Sequence, residues 1–229
     1  MNPYDYVRKE PYKMYINGEF VASESGETFA INNPATNEVF ASAYKGGAAD
    51  AEKAILAARK AFDEGPWGKM SNAARGKVLM KVRDILERRI EEFAVLETLE
   101  CGKLYMTCRY FDAMQALDGL EYYAGKVRCL EGKVLPVDGG AKYMNYVIWQ
   151  PCGVVGEILP WNGPLMMGCQ KIPAILAAGN TVVVKPSSLA SLSMLLLAEV
   201  FDEAGCPPGV FNVITGSGGE VGDVLVQSP

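Results

Sequence analysis

Three short loops hold the residue types that can do chemistry. Pro160-Trp161-Asn162-Gly163-Pro164 carries an asparagine whose side-chain amide could donate to a developing negative oxygen. Taken alone, such an asparagine is more often a turn former. In Lys185-Pro186-Ser187-Ser188 a lysine ends an apolar strand just before a helix, a place that suits a ribose or a phosphate. The same lysine reads equally as one that snorkels from the end of a sheet. Gly216-Ser217-Gly218-Gly219-Glu220-Val221-Gly222 lets the backbone approach a ligand or a neighbouring helix. Its G-x-G-x-x-x-G spacing is one residue longer than the usual dinucleotide fingerprint, and by itself it is also an ordinary glycine-rich turn.

Other chemistries are excluded by composition. The 229 residues contain no histidine, so Ser-His-Asp and Cys-His catalysis within the chain and every His-containing metal site are ruled out. No metal is expected. The six cysteines (101, 108, 129, 152, 169 and 206) are scattered without a C-x-x-C pair, as reduced cysteines of a cytoplasmic protein would be. Hydrophobic residues make up 49% and charged residues 21%, enough to bury a core. A net charge of −5 argues against nucleic acid as a partner. Prolines and glycines interrupt every apolar stretch before it reaches the roughly 20 residues of a membrane span. Residues 1–15 lack the apolar core of a signal peptide.

The elements that must position these loops follow from periodicity. Residues 15–21 contain Asn17-Gly18, the pair that best tolerates a type I′ hairpin turn. A second hairpin is expected from residues 28–32 and 39–43. Helical spacing follows, with Asp50 as the expected N-cap and Ala51, Ile55, Ala58 and Phe62 on one face, closed by Gly65-Pro66. Ser71 caps a stripe that runs unbroken from Val78 to about Thr98 and stops at Gly102. A further helix over 107–124 is expected to bury Phe111, Met114, Leu117, Leu120 and Tyr123. Residues 143–150 read as an extended strand. Three apolar strands then alternate with helices: 153–159, 181–185 and 210–214, followed by helices over 164–178, over 188–204 and from about 220. That alternation predicts a parallel sheet covered on both faces, with ligands at the carboxyl ends of its strands.

Taken in order, these motifs resemble the aldehyde dehydrogenase superfamily. The resemblance runs nearly end to end, through Tyr15-Ile16-Asn17-Gly18-Glu19, Asn33-Pro34-Ala35-Thr36, Leu99-Glu100-Cys101-Gly102-Lys103 and Tyr122-Tyr123-Ala124-Gly125. Its densest part is Pro151-Cys152-Gly153-Val154-Val155-Gly156 through Pro160-Trp161-Asn162, then Ala178-Gly179-Asn180-Thr181, Lys185-Pro186-Ser187 and residues 204–210.

The resemblance implies an α/β fold: a Rossmann-like parallel sheet with flanking helices, N-terminal hairpins and helices, and an extended oligomerisation arm. It implies residues 1–136 as the first part of a NAD(P)-binding domain, 137–152 as the arm and 153–229 as the Rossmann-like core. It implies oxidation of an aldehyde to an acid with NAD or NADP, in a homo-oligomer joined through the arm. Asn162 stands in the position of the oxyanion donor, and Ile158, Leu159, Pro160, Trp161, Lys185, Ser188, Gly218 and Gly222 stand in cofactor-binding positions. Many NAD-preferring relatives carry a glutamate three residues after the lysine; Ser188 stands there instead, so NADP becomes admissible. The family's nucleophilic cysteine, its general-base glutamate and its catalytic domain lie beyond Pro229. Residues 1–229 alone are therefore expected to be inactive and to expose strand 210–214 as an unpaired edge. Alternatives are a non-catalytic nucleotide-binding or interaction protein, a piece of a split enzyme, and a CoA-acylating or semialdehyde-specific relative.

Overall fold

A computed structural model describes residues 2–138 and 143–228. Strands β1 (Met14–Ile16) and β2 (Glu19–Val21) form the first hairpin, with Asn17 and Gly18 at φ 55° and 81° as the turn requires. Strands β3 (Thr28–Asn33) and β4 (Glu38–Tyr44) form the second.

Helix α1 (Ala48–Asp63) starts earlier than expected. Gly47 is its N-cap, and Asp50 lies inside the first turn, where its carboxylate accepts from the Gly47 amide at 3.0 Å. Ser71 caps α2 (Asn72–Arg88) as expected, its hydroxyl accepting from the Ala74 amide. The single long helix expected here is two: the chain turns at Arg89 and continues as α3 (Ile90–Cys101). Gly102, at φ 68°, stops it.

After α4 (Tyr105–Thr107) a π-helical turn over Cys108–Asp112 leads into α5 (Ala113–Lys126). The extra residue in that turn rotates the helix face. Asp112 and Ala113 are buried, whereas Phe111 and Met114, expected in the core, are exposed. Strands β5 (Lys133–Leu135) and β6 (Asn145–Val147) pair as an exposed hairpin. Part of the expected arm, residues 139–142, lies outside the described residues, as does Pro229.

The core is strand β7 (Val154–Ile158), helix α6 (Pro164–Ala177), β8 (Thr181–Lys185), α7 (Leu192–Glu203), β9 (Phe211–Val213), a π-helical turn over Gly218–Gly222 and α8 (Asp223–Gln227). The sheet order is β2-β1-β9-β8-β7, with β7, β8 and β9 parallel. The edge expected at 210–214 is covered: β1 pairs antiparallel to β9 at Tyr15↔Val213. Among the described residues the edges are β7 and β2, because the N-terminal hairpin adds β1 and β2 beside β9. Along β8, Val182 and Val184 pack with α2, α5, α6 and α7, while Val183 joins Ala51, Ala54 and Val221 beneath α1 and α8. One strand thus serves two apolar layers. Among the described residues, no helix is long and apolar enough to cross a membrane.

Candidate functional site

The parallel register brings the three loops together. Ile158 stands opposite Lys185, the Leu159 amide donates to the Lys185 carbonyl at 3.0 Å, and the Ile214 amide donates to Val184. The loops after β7, β8 and β9 therefore leave the same end of the sheet side by side. Ile158 and Trp161 are exposed there and Pro160 is half-buried. Leu159 differs. Its side chain turns into the core toward Gly168, so only its backbone is available to a ligand.

Lys185 is 4% exposed. Its ammonium donates to the carbonyls of Pro186 (2.8 Å) and Gly216 (3.3 Å), and among the described residues it has no carboxylate partner. Burial pulls its pKa below the usual lysine value. Ser188 donates to the same Gly216 carbonyl at 2.9 Å. Gly216 itself, at φ 139°, admits no side chain: a Cβ would stand 2.4 Å from the Gly46 carbonyl. At Gly218 and Gly219 nothing lies within 4 Å of where a Cβ would be, and Gly222 faces the Lys185 stem at 3.8 Å. The result is a buried cation beside an open glycine ledge, which fits an anionic or hydroxyl-rich ligand.

Asn162 is exposed, and its side-chain amide has no hydrogen-bond partner among the described residues. Its neighbours are held from outside. Gly163, the N-cap of α6, has no side chain, and Pro164 has no N–H. The Leu165 amide is satisfied by Glu97 of α3, at 2.8 Å. Three residues on, Glu100 closes α7, accepting from Leu192 (2.7 Å) and Ser193 (3.0 Å). Burial raises both carboxyls, Glu97 to about 8 and Glu100 to about 7. The sequence reading missed both acids. The available signal was two glutamates at helical spacing inside the apolar stripe of Phe93, Leu96 and Leu99.

The profile of the aldehyde dehydrogenase family matches residues 20–229. The chain belongs to the aldehyde dehydrogenase family. It is 46% identical to DhaS of Bacillus subtilis (strain 168), over 94% of this chain and 43% of that protein. It is 41% identical to the mitochondrial aldehyde dehydrogenase family 2 member B4 of Arabidopsis thaliana, over 94% of this chain and 40% of that one. The solved NAD+ complex of an aldehyde dehydrogenase from Bacillus cereus superposes with a TM-score of 0.95 at 40% identity, covering 99% of this chain and 46% of that one. The chain thus spans less than half the length of each of these three relatives.

Within this aldehyde dehydrogenase segment, all six cysteines are free. Cys169 and Cys206 are buried, and burial pushes both thiols up, away from the thiolate form. Cys108 is held neutral in the same way, at about 11.

Proposed function

We propose that this segment is the cofactor-binding part of an enzyme that oxidises an aldehyde to a carboxylic acid with NAD or NADP. The observation that carries this reading is Lys185, a buried ammonium with no counter-ion among the described residues, at the carboxyl end of the sheet, in a family whose Bacillus cereus member is solved with NAD+. When bound, the cofactor accepts the hydride. Lys185 and Ser188 would hold its ribose or an added phosphate, the backbone at Gly218 and Gly222 would pass close beneath it, and Ile158, Leu159, Pro160 and Trp161 would flank it. Asn162 would donate its side-chain amide to the oxygen that becomes negative when the aldehyde is attacked. In this reading the attacking thiolate and the carboxylate that activates water come from residues outside this segment, and residues 1–229 alone bind nucleotide without turnover.

Ser188 puts a hydroxyl where a carboxylate would oppose a 2′-phosphate, so the reading includes NADP. The exposed apolar residues of β5, β6 and the irregular segment after them, Val134, Tyr146, Ile148 and Trp149 among them, support the arm as a surface covered by a second copy of the chain. The free cysteines support a cytoplasmic location.

The test is formation of reduced nicotinamide by the protein that carries this segment, with a panel of aldehydes and each cofactor. Asn162→Ala should lower kcat by about 10²–10³-fold while cofactor affinity holds. Ser188→Glu should shift the ratio of kcat/KM toward NAD by at least about tenfold. No turnover and no nucleotide binding would overturn the reading. A preference for NAD above roughly a hundredfold before any substitution would show that another group excludes the phosphate.

A further inference from the structure

Beside the Asn162 loop, three buried side chains, Glu97, Cys108 and Asp112, form a cluster with half-buried Lys103 at its edge. Lys103 follows Gly102, whose left-handed φ turns the chain back after α3; a Cβ at Gly102 would stand 2.7 Å from Pro34 Cγ. The Lys103 ammonium pairs with the carboxylate of Asp112, which the π-helical turn faces inward. It also donates to the Asn162 carbonyl at 3.4 Å and lies 3.7 Å from where a Cβ of Gly163 would be. Glu97 stands in the same cluster. One of its oxygens accepts from Leu165, and the other has no partner among the described residues.

We propose that Lys103 is a positioning residue for Asn162: its ammonium, fixed by Asp112, holds the Asn162 carbonyl while Glu97 holds the amide of Leu165, and together they set the direction of the Asn162 side chain.

Three facts carry this. The loop between β7 and α6 contributes little to its own order, since Gly163 brings no cap and Pro164 no donor. An oxyanion donor must be held to a few tenths of an ångström, so its loop needs outside support. The support comes from α3, the turn after it and the π-helical segment, and it grips the backbone on both sides of Gly163. The donor atoms of Glu97, Cys108 and Asp112 lie within 4.8 Å of one another, as a metal cradle would, but the Lys103 ammonium already supplies the cation at Asp112. The neutral Cys108 thiol and protonated Glu97 leave one full ion pair in the cluster, with Glu100 the other acid facing Glu97.

The inference rests on the proposed function only for its effect on catalysis, so the experiment has two readouts. In the protein that carries this segment, labelled with fluorotryptophan, Lys103→Met should shift the ¹⁹F resonance of Trp161 and leave that of buried Trp67 in place, and Lys103→Arg should restore it. In turnover, Lys103→Met should lower kcat by about tenfold to a hundredfold with cofactor KM within about twofold, as expected for a reacting group displaced by about 1 Å. Asp112→Asn should behave alike, and Lys103→Arg should recover to within about threefold. An unmoved Trp161 resonance with unchanged kcat overturns the proposal. So does a joint shift of Trp161 and Trp67, or a loss that arginine does not restore, because either assigns Lys103 to general stability. Absence of turnover in the unaltered protein overturns the functional reading instead, and the Trp161 resonance still decides whether Lys103 sets the loop.

Discussion

Helices α6 and α7 both begin on carboxylates of α3, but the two starts are built differently. At α7, both oxygens of Glu100 accept backbone amides, from Leu192 and Ser193. At α6, Glu97 accepts only from Leu165 and keeps its second oxygen without a partner among the described residues. Burial raises both acids. The additional amides pull Glu100 back to about 7, while Glu97, pushed further by Glu100 and Asp112, stands at about 8. The far ends differ too. Both helices close on their own chain, α7 with Gly205 at φ 77° and the Cys206 amide bonded to Phe201, α6 with Gly179 at φ 94° and the Asn180 amide bonded to Ile175, but among the described residues only α6 also takes outside side chains on its last carbonyls. α6 is held at its end by side chains from elsewhere: the Trp67 indole on Leu176 and the Arg75 guanidinium on Ala177. The lesson is that the backbone of α7, whose loop carries Lys185, is bonded from α3 at its start and closed by its own chain at its end. α6, whose loop carries Asn162, takes its placement from the N-terminal helices.

Three substitutions break or sharpen this contrast. The largest effect is expected from Glu100→Ala, which strands two buried amides of α7. At about 1–3 kcal/mol for each unsatisfied donor, it should destabilise the protein by about 2–5 kcal/mol in urea unfolding. A loss below about 1 kcal/mol would mean that water or a neighbour replaces the carboxylate. Next is Trp67→Phe, which removes the indole donor at the end of α6 and keeps most of the ring. Leu176 still accepts from the Gly179 amide, so the expected cost is about 1 kcal/mol, with hydrogen exchange rising in α6 and unchanged in α7. The smallest effect is Glu97→Gln. Glutamine keeps the acceptor for Leu165 and resembles the protonated acid, so at about pH 5 the change should be within about 0.5 kcal/mol.

The sharper test of Glu97 is pH. Both acids bind a proton more tightly folded than unfolded, so their contribution is complete below the unfolded value of 4.5 and is lost as pH rises, through about 7 for Glu100 and about 8 for Glu97. Glu97→Gln should match the unaltered protein at about pH 5, lose the share of the decline that Glu97 contributes between about 4.5 and 8, and be the more stable of the two above that window. Parallel curves across that range would show that Glu97 is charged throughout.

Much of the fold was legible because it is local. Strand 181–185 is legible to the residue, since four β-branched positions and a lysine lie between turn signals at Gly179-Asn180 and Pro186. The Asn17-Gly18 turn and the Ser71 cap were likewise read from two or three adjacent residues. The errors share another cause. The stripe from Val78 to Thr98 keeps its period through Arg89, so nothing local announces the break between α2 and α3. The rotation at Cys108–Asp112 comes from one extra residue in a turn, which moves Phe111 and Met114 outward without changing the composition of the stripe. The cover on β9 comes from Tyr15, nearly the whole chain away.

The candidate site divides the same way. The sequence by itself determined the strand–loop–helix units and the residue types in the three loops, because propensity, turn chemistry and apolar period act over a few neighbouring residues; the family came from the resemblance of its ordered motifs. Only the tertiary structure decided that Lys185 is buried with no counter-ion among the described residues, that Glu97 and Glu100 close two helices far along the chain, and that Lys103 reaches the Asn162 carbonyl. Those are statements about desolvated polar groups. Their partners are chosen by which surfaces the packing brings together, and that is not written in the spacing of either partner.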